Sequence, residues 1–219
     1  MELYERLKND KKIRTYIERA DESLKVLGFT EHSFAHVTRV ADRADFILRS
    51  LGHSEHECEL ARAAGYLHDI GNLVNRSEHS QSGAVMALTI LEGYGVDADD
   101  ISTIVSAIGN HDEGTGVPVN AVAAALIIAD KSDVRRSRVR SESDISVDIH
   151  DRVNYSVDKS EIKINKDRSE IALKLHINTD TSSIMEYFEI FLERMLLCRK
   201  AAQRLGVVFK LIINDQHII

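Results

Sequence analysis

Histidine and aspartate stand side by side in the segment Tyr-Leu-His68-Asp69-Ile-Gly71-Asn. Adjacent residues point about 100° apart on a continuous helix, so these two side chains can converge only where a helix ends. Gly71 follows two residues later, and glycine is a common residue at helix ends. An imidazole nitrogen and a carboxylate oxygen at such a terminus suit a divalent metal ion. The segment therefore indicates the chemistry of a metal site.

Three more histidines stand where predicted helices begin or end, and two cations are candidates for the same site. The histidines are His36, His79 and His111. Arg39 lies one turn beyond His36 on the same helix face, and Lys131 follows Asp130 directly. Mixed imidazole and carboxylate ligands suit Mn, Fe, Co, Ni or Zn without selecting one of them. A metal in such a site could activate water as hydroxide for attack on a phosphate ester held by the cations.

A basic run follows this region. It consists of Arg135, Arg136, Arg138 and Arg140. The planar guanidinium group suits bidentate contact with phosphate, so Arg135 and Arg136 are candidate substrate contacts. A solvated helix end, or salt bridges to the many carboxylates of the chain, explains the run equally well. A nucleic-acid patch is the weaker explanation, because no aromatic residues interleave for base stacking.

Composition limits the class of protein. The chain has 219 residues with 28 Lys and Arg against 35 Asp and Glu, and its net charge of −7 disfavours general nucleic-acid binding. Cys58 and Cys198 have no CxxC spacing, which argues against a disulfide framework or a cysteine-ligated zinc site. The longest apolar run, 121–129, is far shorter than the roughly 20 residues of a membrane span. With no secretory signal in the first twenty residues, we expect a cytoplasmic protein.

The elements that must position the candidate ligands are predominantly helical. Apolar residues recur at helical spacing through the first two-thirds of the chain, and Gly28 and Gly52 are candidate stops. Ser54 and Glu57 form a candidate capping box for the helix that ends at His68. The predicted helices are 3–27, 34–51, 54–68, 79–94, 99–111 and 120–136.

The pattern changes near residue 141. Apolar residues alternate with polar ones, which is typical of half-buried strands. The predicted elements are strands at 153–157, 162–164 and 171–177, a helix at 182–205 and a strand at 207–213. The fold prediction is mainly α, with a helical bundle over residues 1–140. A small β-β-β-α-β domain over 141–219 completes it, with one long helix on an antiparallel sheet.

The candidate residues, taken in order, resemble the HD-domain superfamily of metal-dependent phosphohydrolases. Five motifs between about His32 and Arg140 carry this likeness: His36-Val-Thr-Arg39-Val-Ala, His68-Asp69-Ile-Gly71, His79-Ser-Gln-Ser-Gly83-Ala, Ala107-Ile-Gly-Asn-His111-Asp112-Glu113 and Ile127-Ile-Ala-Asp130-Lys131-Ser-Asp133. The resemblance implies an HD-like helical bundle and a first metal held by His36, His68, Asp69 and Asp130. It implies a second metal held by His79 and His111, with Asp69 bridging. Gly116-Val-Pro118 replaces the Gly-Tyr-Pro triplet of the cyclic-di-GMP phosphodiesterase branch, which argues against that substrate.

The function that the resemblance implies is hydrolysis of a phosphate ester, mono- or diester, of a nucleotide or similar small molecule by a metal-activated hydroxide. We expect one or two divalent transition metals per chain and Asp69 to orient the attacking water. Asp112 and Glu113 are the candidate proton donors. The predicted substrate contacts are Arg39, Asn72, Lys131, Arg135 and Arg136. The alternative is a catalytically weak module that binds metal and a nucleotide as a regulatory sensor. No membrane partner is expected, and the edge strands of the C-terminal sheet would allow a homodimer.

Overall fold

The computed structural model describes residues 2–140 and 148–219, and this part of the chain is mainly helical, as predicted. Its α-helices are α1 (Leu3–Asn9), α2 (Lys11–Val26), α3 (Phe34–Leu51), α4 (Glu55–Leu67), α5 (His79–Gly93), α6 (Ala98–Gly109), α7 (Ala121–Lys131), α8 (Ile149–Ser156) and α9 (Ile184–Arg204). The strands are β1 (Val157–Ile164), β2 (Glu170–Ile177), β3 (Val208–Ile213) and β4 (Gln216–His217). Within the described ranges, no helix is long and apolar enough to cross a membrane.

Local capping fixes where the helices around the candidate ligands begin. The Ser54 side chain accepts a hydrogen bond from the Glu57 backbone, and the Glu57 side chain bonds back to the Ser54 backbone. This capping box confirms the predicted start of α4. Two predicted helices differ from the structure. The predicted helix 3–27 is divided into α1 and α2, because Asp10 caps the start of α2. Helix α7 stops at Lys131 instead of continuing to residue 136. There the Ser132 hydroxyl donates to the Ala129 carbonyl, and the chain turns away from the helix axis.

Helices α3, α4 and α7 form the centre of the bundle. The backbones of α3 and α4 approach so closely that a Cβ at Gly65 would lie 2.7 Å from Ala41 Cα. Residues 122–129 of α7 are fully buried, which explains why this helix is apolar all round instead of amphipathic. The three helices therefore form a rigid frame, and four of the six candidate ligands lie at their ends.

The C-terminal sheet is mixed, which corrects the prediction of an antiparallel sheet. Strand β1 pairs antiparallel with β2, but β2 pairs parallel with β3. The physical reason is the connection, because α9 carries the chain back across the sheet and a strand–helix–strand crossover places its two strands parallel. Helix α9 also packs against α7, joining this region to the bundle.

The predicted strand at 153–157 is also wrong, since residues 149–156 form helix α8. The Asp148 side chain accepts hydrogen bonds from two backbone amides in the first turn, which is a helix N-cap. Residues 158–160, which separate two of the predicted strands, lie inside β1. The C-terminal order is therefore α-β-β-α-β-β. The predicted domain boundary at 140/141 adjoins residues outside the described part and stays a prediction.

Candidate metal centre

The first of two ligand clusters lies where α3, α4 and α7 meet. It contains His36 from the first turn of α3, His68 and Asp69 from the end of α4, and Asp130 from the last turn of α7. His36 Nε2 lies 3.3 Å from both His68 Nε2 and Asp130 Oδ1. Asp69 Oδ2 lies 3.5 Å from His36 Nε2 and 3.3 Å from His68 Nε2. Two imidazole nitrogens and two carboxylate oxygens therefore converge.

The second cluster shares Asp69 with the first. His79 begins α5, and His111 follows the end of α6. Their Nε2 atoms lie 3.2 Å apart, and Asp69 Oδ1 lies 3.4 Å from that of His79 and 4.0 Å from that of His111. Asp69 thus directs one carboxylate oxygen into each cluster. All six predicted metal ligands are brought together.

The protein holds the other ring nitrogen of each histidine. Every Nδ1 lies near an oxygen that can accept its proton: Asp133 Oδ2 at 2.8 Å for His36, Gly65 O at 2.8 Å for His68, Arg76 O at 3.1 Å for His79 and Ile108 O at 2.6 Å for His111. A hydrogen bond from Nδ1 fixes the tautomer that leaves the Nε2 lone pair free. All four lone pairs therefore face the shared carboxylate of Asp69.

The donor set fits divalent transition metals. Ligand atoms bonded to one such ion at about 2.1 Å lie about 3.0 Å apart in an octahedron and about 3.4 Å apart in a tetrahedron. The closest contacts between ligand atoms in the two clusters are 3.2 and 3.3 Å. The four histidines are at most 2% exposed, so bulk water has little access to their Nε2 atoms. A cation in each cluster would satisfy them.

Buried charge sets the protonation of the clusters. Burial opposes ionisation of Asp69, but the charge of His68 and hydrogen bonds from the histidines hold the pKa of this carboxyl well below its usual range. Burial lowers the pKa of His68, yet its carboxylate neighbours outweigh burial and raise it to about 10. Burial lowers the pKa of His79 and His111, so their Nε2 atoms are unprotonated at neutral pH. The second cluster is ready to bind metal, whereas the first must release a proton.

The side chains of His68 and Asp69 can converge on the metal centre because the chain makes a tight turn at Asp69. Asp69 has φ −96° and ψ 2°, outside helical values, and residues 70–73 continue as a 3-10 turn against α5. At Gly71, a Cβ would lie well inside van der Waals contact with the carbonyl oxygen of His79. Only glycine lets this turn approach α5, and so only glycine lets Asp69 reach the second cluster.

We expect Gly71→Ala to lower the free energy of unfolding by about 2–3 kcal/mol, because the added methyl meets backbone atoms that cannot rotate away. For a chain of this size, the midpoint of thermal unfolding should fall by roughly 4–12 °C, and metal affinity should fall with it. Gly93→Ala is the matched control, since a Cβ there meets no heavy atom within 4 Å. Equal thermal midpoints for the two variants would contradict this account of the turn.

A cavity of about 390 Å³ opens onto both clusters. Its basic lining residues are Arg76, Lys131, Arg138 and Arg194. Lys131 Nζ lies 2.7 Å from Asp130 Oδ2 and 2.9 Å from Glu113 Oε2. Although burial lowers the pKa of this amine, the two carboxylates outweigh it and keep Lys131 charged. The cavity therefore combines a metal-binding wall with fixed positive charge.

Of the predicted substrate contacts, only Lys131 is among the residues that line this cavity. Asn72 is buried, and its amide donates to the backbone oxygen of Asp69 at 2.9 Å and to Oδ1 at 3.1 Å, so it positions this ligand. The other three predicted contacts lie elsewhere, paired with carboxylates: Arg39 with Asp133, Arg135 with Glu31 and Asp133, and Arg136 with Asp158. Asp112 also lies outside the cavity lining.

Sequence reasoning missed two cations of the cavity. Arg76 lies three residues before His79, and its guanidinium is 3.3 Å from His79 Nε2. Arg194 lies on α9 and forms an ion pair with Glu113. The position of Arg76 before a motif histidine was an available signal. No local sequence pattern could predict that Arg194 lines the cavity, because α9 brings it there only by packing against α7.

The chain is similar to a known protein family and to two known proteins. The family model of the HD domain matches residues 33–156, which include all six candidate ligands and more than half of the chain. An uncharacterised protein of Methanocaldococcus jannaschii is 29% identical over 185 residues, covering 74% of this chain and 71% of that protein. Among solved structures, a predicted HD superfamily hydrolase from an uncultured Thermotogales bacterium is 24% identical, with a TM-score of 0.44. The match covers 62% of this chain and 75% of that one.

Proposed function

The chain belongs to the HD-domain family, and from this membership and the two ligand clusters we propose that it is a metal-dependent phosphohydrolase. We propose further that it cleaves a phosphate ester of a nucleotide or a similar small molecule. The position of Asp69 is the observation that carries the proposal. One of its oxygens belongs to each cluster, and a carboxylate shared in this way would hold two metal ions close together.

A bound divalent metal supplies a Lewis acid and lowers the pKa of coordinated water toward neutrality. His36, His68, Asp69 and Asp130 would hold one ion, and His79, His111 and Asp69 the other. Asn72 keeps the Asp69 carboxylate in place through its amide. Asp69, the ligand common to both clusters, is our candidate for orienting the attacking water.

The fixed cations of the cavity would bind the phosphate group. Arg76 lies at the second cluster with its guanidinium close to His79. Lys131 and Arg138 are at most 5% exposed, so their charge acts on a ligand with little screening by water. Guanidinium groups bind phosphate oxygens bidentately, which favours a negatively charged ester over a neutral substrate.

The cavity also has an apolar side suited to the remainder of a small substrate. Leu27, Phe29 and Phe191 are among its lining residues. The Arg194 guanidinium carbon lies 4.3 Å from the centre of the Phe191 ring, so a charged and an aromatic surface adjoin each other. A phosphate bound to a nucleoside matches this pairing, which supports a nucleotide substrate.

The two acidic residues after His111 differ as proton donors. Burial raises the pKa of Glu113, but Lys131 and Arg194 outweigh it and hold the pKa far below its usual range. Glu113 is therefore ionised at neutral pH and cannot protonate a leaving group. Burial raises the pKa of Asp112, in the direction that a general acid needs. Its role as proton donor stays a prediction.

We expect Arg76→Gln to raise the KM for the phosphate ester by about tenfold to a hundredfold, because a charge-assisted contact contributes about 1.5–3 kcal/mol. Steady-state kinetics on manganese-loaded protein measures this directly. Arg19→Gln is the control, since Arg19 is 66% exposed and pairs with Glu22 on the surface. An unchanged KM in Arg76→Gln would remove Arg76 from the substrate site.

The overall proposal is tested with a panel of nucleotides, other phosphomonoesters and phosphodiesters, incubated with metal-loaded protein. We expect release of inorganic phosphate or of a phosphorylated product from at least one of them. Thermal shift on the same panel reports binding independently of turnover. Ligand binding without product would contradict hydrolysis and favour the regulatory sensor.

A further inference from the structure

Three arginines that the sequence suggested as phosphate ligands do lie together, but outside the cavity that opens onto the metal centre. Arg39, Arg135 and Arg136 line a groove formed by α3, the segment after α7 and strand β1. Arg43 and Lys159 line it as well. We call this surface the arginine groove. It shares no lining residue with the catalytic cavity.

The arginine groove has an excess of positive charge. Its lining has five basic side chains and three acidic ones, Asp133, Asp158 and Glu161, in a chain whose formal charge is −7. Asp133 is 1% exposed, and its Oδ2 is engaged by His36 Nδ1 at 2.8 Å. Its Oδ1 lies 3.2 Å from Arg135 Nε and 3.4 Å from Arg39 Nε, so Asp133 offsets part of the positive charge of the groove, and the other cations supply the excess.

Two guanidinium groups of the groove remain open to a ligand. The side chain of Arg39 is 48% exposed, and its Nε lies 3.4 Å from Asp133 Oδ1, longer than a strong charge-assisted bond. The side chain of Arg136 is 45% exposed and pairs with Asp158, which is itself 40% exposed. Its Nε also donates to the Tyr155 carbonyl at 2.9 Å, and its guanidinium lies over the Tyr155 ring, so the exposed part of this group faces the groove from a fixed position. Exposed ion pairs of this kind contribute at most about 1 kcal/mol, so an incoming oxyanion can replace them.

An aromatic surface continues from the groove along α3. A neighbouring depression shares Arg39 and Arg43 with it and is lined further by Phe34 and Phe46. Phe46 is 43% exposed, an uncommon exposure for a large apolar ring. The arginine groove and the aromatic depression therefore meet at Arg39 and Arg43. A ligand that fills both carries phosphate at one end and a planar ring at the other.

We propose that the arginine groove is a second binding site, separate from the catalytic cavity, for a nucleotide-like phosphate ester. Its phosphates contact Arg39 and Arg136, and its ring lies against Phe46. The proposal rests on the charge and exposure of the groove and does not require the metal centre to be catalytic.

The test is calorimetric titration of the metal-loaded protein with α,β-methylene-ADP, which resists hydrolysis between its phosphates. Wild type is compared with the double variant Arg39→Gln/Arg136→Gln, with Phe46→Ala and with the cavity variant Arg76→Gln. Arg19→Gln is the control for loss of a surface arginine. All five proteins are first compared by circular dichroism, and the exposure of the substituted groove residues favours retention of the fold.

We expect wild type to bind in two phases, of which Arg39→Gln/Arg136→Gln weakens one at least tenfold and leaves the other. Phe46→Ala should weaken the same phase, and added salt should weaken it further. Arg76→Gln should affect the other phase. Unchanged affinity and stoichiometry in Arg39→Gln/Arg136→Gln would overturn the second site while leaving the proposed hydrolysis intact. Loss of a phase in that variant, in a protein with no turnover, would support the groove and count against hydrolysis.

Discussion

Asp69→Asn is expected to lower turnover of the phosphate ester by about a thousandfold or more and to reduce metal content in both clusters. The carboxylate has one oxygen 3.3 Å from His68 Nε2 and the other 3.4 Å from His79 Nε2. An asparagine keeps the shape but offers one neutral oxygen, so it can serve at most one ion. The Asn72 amide also donates to the backbone oxygen of residue 69, which the substitution does not change, so the fold should be retained.

Asp167→Asn is the control, because Asp167 is exposed in the turn between β1 and β2. Turnover is measured at saturating manganese, and metal content is measured on the same samples after gel filtration. Circular dichroism confirms that both variants are folded. Turnover within tenfold of wild type in Asp69→Asn would contradict the role of this carboxylate.

The double variant His79→Gln/His111→Gln is expected to retain one metal per chain and to lose about a hundredfold in turnover. These side chains supply the histidine ligands of the second cluster, whereas the contacts among His36, His68 and Asp130 do not involve them. Loss of the second ion removes one of the two metal ions that would stabilise charge on the phosphate, while the cations of the cavity stay in place. Elemental analysis of the purified protein gives the metal count, and steady-state kinetics gives the turnover.

His53→Gln/His56→Gln is the matched control, since these histidines pair with Glu57 and Asp100 near the surface, away from the clusters. It should keep both metals and wild-type turnover. If His79→Gln/His111→Gln keeps two metals, the second cluster does not bind metal. If it loses both, the clusters are not separable and the division into two sites is wrong.

Much of the helical framework was predictable because its signals are local. The capping box of Ser54 and Glu57, the stop at Gly52 and the apolar spacing on α3 each depend on residues close in sequence. The convergence of the six candidate ligands was also anticipated, because five motifs in one order specify more than any single dipeptide.

What could not be predicted depends on contacts between distant segments. Arg39 lies one turn after His36, so its side chain was expected near the metal. However, His36 directs Nε2 to the cluster and Nδ1 to Asp133, and Arg39 lies on the Asp133 side. Alternating apolar and polar residues predict a strand at 153–157, but only three apolar residues carry this period of two. The N-cap at Asp148 outweighs so short a pattern, and residues 149–156 form helix α8.

The position of Asp69 between two metals is tested most directly by crystals grown with manganese, with diffraction data collected near the manganese absorption edge. The account predicts two anomalous peaks on opposite sides of the Asp69 carboxylate. One should lie among His36, His68 and Asp130, and the other between His79 and His111. A single peak, or peaks that do not adjoin Asp69, would contradict the shared carboxylate and with it the proposed two-metal phosphohydrolase.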